Sequence, residues 1–279
     1  MRRILRPLLL PHWGQDALLA LPRVVCGYLL TFNFGAAKFG LPWSPPDNNL
    51  GLFEVAFWFP HDVAAYGGIF ALFPNFFAWM GAFSEAVGGL LLVLGLLTRP
   101  AAFLVCCTML VAMFMQQLNQ GLWNMLPAAG FLWAALPALV LGSGRFGLDY
   151  LLTKSPVPRL QPSLLALALA ALLLPGCVQK ASDKTVVYLL EVHGHPNVRQ
   201  VGLRGRDKPL SWDYDLPLTL VKKDSLYRAV VTIHTGYNTT EVKFTLNGGF
   251  ELKEKDNRRI VFGSTDTTVY RARFDAVPR

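Results

Sequence analysis

The chain has 279 residues, enough for two domains, and 53% of them are hydrophobic against 16% charged, which excludes an ordinary single soluble domain. Its formal charge of +8 comes with no basic run interleaved with aromatics. The cations flank apolar segments instead, a membrane-topology pattern that excludes nucleic acid as a partner.

Long apolar runs fill the chain from Ala17 to Leu141, whereas charge and alternation take over after Gln179. Within the first part, Ala17–Phe39, Phe77–Leu97, Pro100–Leu118 and Leu122–Leu141 each approach the roughly 20 apolar residues that cross a ~30 Å hydrocarbon core. Arg2, Arg3 and Arg6 precede the first stretch, Arg99 separates the second and third, and Arg145, Lys154 and Arg159 follow the fourth. All these cations share one side of the bilayer if four spans alternate. The N-terminus is therefore expected in the cytoplasm and the protein in the cytoplasmic (inner) membrane. The loop from Gly40 to Asn75 then faces outward, and its aromatic-rich piece LFEVAFWF reads as a segment resting at the bilayer interface.

Ionisable residues inside spans are costly and are functional candidates by default. Arg23 is near the inner end of the first span and Lys38 near its outer end, where both can snorkel. Glu85 lies roughly 12 Å below the outer edge of the second span at ~1.5 Å per residue. A carboxyl at that depth must be paired, protonated or turned to a polar cavity. Two readings stand: an internal pair that fixes helix register, or a group that handles protons or a quinol. The cysteines form no CxxC and no metal site. Cys26 lies at a depth matching Cys106 and Cys107, so either a buried redox pair or plain packing is allowed.

The segments RVVCGYLLTFNFGAAKFG, SEAVGGLLLVLGLLTRPAA and GSGRFGLDYLL resemble, in order, three segments of the DoxX family. The likeness runs from Pro22 to about Leu152 and falls on Arg23, Gly27, Lys38, Phe39, Glu85, Gly88, Gly89, Arg99, Arg145 and Asp149. It implies a four-span bacterial membrane protein, some relatives of which resemble subunits of quinone-linked sulfur oxidoreductases. On that footing Glu85, Arg23 and Lys38 are the candidate catalytic residues, quinone the candidate cofactor and a redox subunit the candidate partner. Physically, Gly88 and Gly89 let a second helix approach closely. Arg145 and Asp149, four apart, form a same-face pair if helical.

Residues 153–184 form a basic linker and a hydrophobic stretch. The run from Leu164 to Leu174 has the length of a signal h-region and is short for a comfortable span. It ends in LPGC, which resembles a lipoprotein box with Pro175 as a departure. Because the fourth span returns the chain to the cytoplasm, this segment runs outward. It is either a short, uncleaved fifth hydrophobic helix, which Pro175 favours, or a cleaved signal that leaves Cys177 lipidated.

From Thr185 the chain reads as short alternating strands bounded by Gly, Asn, Asp and Pro, with LNGG as a hairpin signal. The fold class is thus membrane α plus β: a four-helix transmembrane bundle (1–152), the hydrophobic linker (153–184) and an exported antiparallel β-sandwich (185–279). VRQVGLRGRDKPLSWDYDLPLTL, YRAVVTIHTGYNTTEVKFTLNGGFEL and KDNRRIVF resemble the immunoglobulin-like starch-binding modules of carbohydrate-binding family twenty. The resemblance implies an α-glucan or other glycan as ligand, held by Trp212, Lys243, Phe250, Glu251 and Asn257. Phe250 stands where that family commonly has a second Trp. His193, His195 and His234 are scattered and bring no metal-ligand set. Two functions fit: a quinone-linked membrane oxidoreductase subunit, or a non-enzymatic anchor displaying a glycan- or protein-binding sandwich.

Overall fold

The computed structural model describes residues 6–118, 121–154, 177–195, 197–222 and 226–277. The linker's hydrophobic stretch falls outside them. The chain divides into two compact units, one of Met1–Pro45 with Leu50–Gln179, the other of Pro46–Asn49 with Lys180–Arg279.

In the first unit, four helices are long and apolar enough to cross a membrane: Trp13–Gly35, Pro74–Leu94, Thr98–Gln117 and Leu122–Leu141, spans 1 to 4. The fourth matches its sequence-predicted bounds; the others begin two to four residues earlier than predicted. Span 1 is helix α1 (Trp13–Leu29) continued by a π-helical turn, Leu30–Gly35. Two short helices, α2 (Phe59–Ala64) and α3 (Gly68–Leu72), follow in the loop. Span 2 is α4 (Pro74–Phe83), a π segment at Ser84–Gly88, and α5 (Gly89–Leu94). Span 3 is α6 (Thr98–Val111) ending in the π segment Ala112–Gln117. Span 4 is α7 (Leu122–Leu141), and α8 (Leu148–Lys154) closes the bundle. π segments are rare and gather at functional sites, and here each of the first three spans has one.

Glycine sets how closely spans 1 and 2 cross. A Cβ on Gly27 would lie 2.4 Å from the Gly89 carbonyl oxygen, and one on Gly35 would lie 2.5 Å from Ala86 Cα. The Thr31 hydroxyl donates to the Ala86 carbonyl at 3.0 Å across the same contact. Backbones this close are what small residues permit between membrane helices. Gly88 faces span 3, where a Cβ would meet Val105 at 3.6 Å.

The loop after span 1 does not rest as an amphipathic strip. Val55 forms a bridge with Phe39 and Trp79 Nε1 donates to the Phe53 carbonyl at 3.1 Å. Val55, Phe59 and Val63 are buried in one cluster with Phe39, Trp79 and Ala82, so the segment folds down onto spans 1 and 2. Burying its aromatics against protein satisfies the same apolar surface that the interface would have.

The second unit is β-rich. One sheet has the order β4 (Thr219–Lys222), β5 (Leu226–Thr235), β1 (Ser182–Glu191), β9 (Thr267–Arg273). The other runs β3 (Leu216–Pro217), β2 (Val201–Gly205), β6 (Thr239–Leu246), β7 (Gly249–Phe250), with β8 (Arg258–Val261) also on β6. Alternation places Val186, Tyr188, Leu190, Val231 and Ile233 of one sheet in a single core with Leu203, Val242, Phe244 and Ile260 of the other. The pairing is not wholly antiparallel, because β1 and β9 run parallel. Asn247 and Gly248 both have positive φ, the requirement of the two-residue hairpin that joins β6 to β7.

Candidate functional site

A cavity of about 260 Å3 in the membrane unit is walled by Phe59, Val63, Tyr66, Phe70, Phe77, Met80, Leu104, Cys107 and Val111, with Lys38 and Glu85 its charged residues. Glu85 comes from the π segment of span 2, and Lys38 from the turn just beyond the π segment of span 1. The π segment of span 3 adds Ala112 and Gln116. The extra residue in each π turn re-aims side chains that an unbroken α-helix would direct elsewhere.

Lys38 Nζ lies 2.7 Å from Glu85 Oε2, and the Glu85 side chain is only 7% exposed. The ammonium also sits 4.8 Å from the centre of the Phe59 ring. It approaches Oε2 off the hydrogen-bonding direction, so this oxygen has a charge contact and no aligned hydrogen bond. A desolvated carboxylate needs both a counter-charge and hydrogen bonds to offset its lost hydration. Glu85 has the first, and its unfilled bonding capacity faces an apolar chamber. Tyr66, in the loop above, is held above the ordinary tyrosine range by burial first and by Asp62 and Glu85 second. It therefore stays a neutral phenol.

Arg23 is elsewhere. It does not snorkel: it is 2% exposed, and its Nη2 donates to the Phe146 carbonyl at 2.9 Å. The helical pairing of Arg145 with Asp149 does not form either. Arg145 lies in a 3-10 turn (Gly144–Phe146) and binds Asp16 at 2.7 Å. Asp149 accepts the Leu97 and Thr98 amides at 2.8 and 2.9 Å. The chain leaves span 2 through left-handed Gly95 and Leu97, and Asp149 satisfies the amides at the start of span 3. This end of the bundle is a structural clasp. Cys26 and Cys106 are buried in one apolar cluster and Cys26, Cys106, Cys107 and Cys177 are all free thiols.

Residues 18–118 match the DoxX family model. The matched stretch holds most of span 1, all of spans 2 and 3, the cavity and both members of the Lys38–Glu85 pair, and stops short of Arg145 and Asp149. With four apolar helices it makes the chain a multi-pass membrane protein. No curated protein matches the chain.

In the β-rich unit, three of the residues read as sugar ligands gather around Arg204. Its guanidinium lies 4.9 Å from the centre of the Phe250 ring, donates to the Trp212 carbonyl at 2.9 Å and binds Asp215 at 2.5 Å. Lys243 is its register partner on β6. Asn257 is held by Glu241, to which its side-chain amide donates at 3.1 Å. Glu251 is not on this face. It is wholly buried and takes Arg258 Nε and Nη2 at 2.6 and 2.7 Å, with the Phe244 amide at 2.9 Å. A carboxylate this enclosed has no surface to offer a sugar. Cys177 is exposed, and its carbonyl accepts the Val55 amide at 2.9 Å.

Sequence reasoning missed Tyr66 and Arg204, and it weighed Cys107 as a redox or packing thiol without placing it in a cavity wall. Arg204 left a trace, an outward-facing cation in the alternating strand VGLRG; loop Tyr66 left none. Among the described residues, no group of three His, Cys, Asp or Glu side chains is placed to hold a metal ion.

Proposed function

We propose that the DoxX region binds a membrane quinone or quinol in this cavity and serves as the quinone-linked subunit of an oxidoreductase assembly. The carrying observation is a buried Lys38–Glu85 pair in the wall of a largely apolar, aromatic-rich cavity. A quinol held there would supply two electrons, for uptake by a partner subunit, and two protons. Glu85 holds or releases a proton at Oε2. Lys38 keeps the deprotonated carboxylate compensated and offers ammonium hydrogens to an oxygen. The aromatic wall excludes water, which strengthens both interactions. Arg23, set in the clasp, has no part in proton exchange. To test this reading, the full-length protein is purified in mild detergent, extracted with organic solvent, and the extract assayed for quinone by its reduced-minus-oxidised absorbance. We expect about one quinone per chain, falling at least tenfold in Glu85→Gln. An extract without quinone, together with failure of decylubiquinone to titrate the protein, rejects it.

In the same reading the N-terminus lies in the cytoplasm and the β-rich unit outside the cytoplasmic membrane, held there by the 153–184 segment or by lipid on Cys177. A C-terminal reporter active only in the cytoplasm overturns that topology.

A second reading concerns the β-rich unit: a weak glycan site of the starch-binding type on the face that carries Trp212, Phe250, Lys243 and Asn257. The Arg204-centred cluster favours it, since an exposed ring beside fixed donors is what a sugar's apolar face and hydroxyls need. Glu251 is left out. Retardation of the full chain in starch-containing native gels supports this reading, and migration identical to that of Trp212→Ala removes it, leaving the unit as an anchored interaction module.

A further inference from the structure

The cavity reaches the surface of the bundle at mid-span, and we propose that it opens sideways into lipid through a portal between spans 2 and 3, beside Cys107. Cys107 lines the cavity and is exposed. It lies in the middle of span 3, whose Phe103, Leu110 and Phe114 are exposed apolar side chains. Nearer the outer end of span 2, Phe76 also lines the cavity and is 39% exposed. On a membrane helix such a surface faces hydrocarbon.

Depth agrees. Counted from the span ends that share a side, Glu85 in span 2 and Cys107 in span 3 are each roughly 15 Å along their helices at ~1.5 Å per residue. Glu85 and the opening therefore lie at one level, with the carboxylate shielded and the opening bare. Size agrees too. A cavity of about 260 Å3 falls just below the ~300–1,000 Å3 that enclose a drug-sized ligand. It holds a substituted ring and not a long chain. The occupant is thus an amphiphile drawn from the bilayer, its flat oxygen-bearing head against Lys38 and Glu85 and its hydrocarbon tail leaving past Cys107.

The choice of head rests on the quinone reading above; the portal does not. Full-length protein in nanodiscs is titrated with decylubiquinone and with tail-less duroquinone, comparing Cys107→Phe with wild type for each. We expect Cys107→Phe to weaken decylubiquinone at least tenfold and duroquinone less than twofold, retained duroquinone binding also showing that the variant folds. Leu110→Phe, which puts the same aromatic ring on the lipid face outside the cavity, should change neither. Equal effects on both quinones, or none on either, overturn the portal while leaving the quinone reading intact. If neither quinone binds the wild type, that reading falls and the portal is decided by a phospholipid carrying a diazirine at mid-chain. Adducts on the buried cavity residue Val63 support the portal, and adducts confined to exposed side chains such as Phe103 and Phe114 reject it.

Discussion

Each unit of the molecule holds an acid–base pair with a deeply buried carboxylate, Glu251 with Arg258 and Glu85 with Lys38, and the two are built differently. In the β-rich unit, Arg258 and Glu251 meet through two hydrogen bonds, and backbone groups take up what remains. Arg258 Nη2 donates to the carbonyls of Arg273 and Ala276 at 3.0 and 2.8 Å, while Glu251 accepts the Phe244 and Asp275 amides. This pair locks β6, β8 and the chain end together. In the membrane unit, Lys38 and Glu85 share one close contact, and among the described residues Glu85 Oε2 has no hydrogen-bond partner. Complete satisfaction marks a structural pair. Incomplete satisfaction beside a cavity marks a pair kept for something that comes and goes.

The sharpest way to break this contrast is to remove the charges. Glu251→Gln should cost about 3–5 kcal/mol, since it leaves buried Arg258 without its counter-charge. Hydrogen exchange by mass spectrometry should show β6 and β8 losing protection. Even Glu251→Leu with Arg258→Met should remain destabilising, because the Phe244 amide and two carbonyls lose partners at roughly 1–3 kcal/mol each. Lys38→Met with Glu85→Leu should shift stability by less than about 1 kcal/mol, since apolar replacement of a buried pair is often neutral. Protection of β6 in Glu251→Gln equal to wild type would erase the distinction.

A smaller effect is expected where backbones touch. Gly89→Ala places a methyl 2.5 Å from Thr31 Oγ1 and 2.8 Å from the Gly27 carbonyl. Overpacking of this kind costs about 1–3 kcal/mol and should lower the thermal midpoint in detergent, while Gly130→Ala, with nothing within 4 Å, should leave it in place. Asp149→Ala removes the acceptor for two amides at the start of span 3. A loss of about 0.5–2 kcal/mol is expected, read as the same midpoint.

The sequence made the spans legible because hydrophobic length is a one-dimensional signal. It marked Glu85 because a carboxyl in a span is anomalous, and Gly89 because close helix crossing demands it. It did not pair Glu85 with Lys38, since that requires knowing how spans 1 and 2 cross. Spacing misled at Arg145 and Asp149: four residues apart implies one helix face, but a 3-10 turn and Gly147 intervene. The π segments have no sequence signature. Glu251 was read as a sugar ligand because the resemblance to the starch-binding modules implies it at that position. Only the burial of Arg258 behind it shows the side chain turning inward.

The most direct test of a ligand site at Lys38–Glu85 is a decylubiquinone titration of wild type and of the Lys38→Met, Glu85→Leu double variant, with the thermal midpoint recorded on the same nanodisc samples. The expected result is binding weakened at least tenfold with the midpoint unmoved. Unchanged binding, or a midpoint that falls as far as it does for Glu251→Gln, would contradict it.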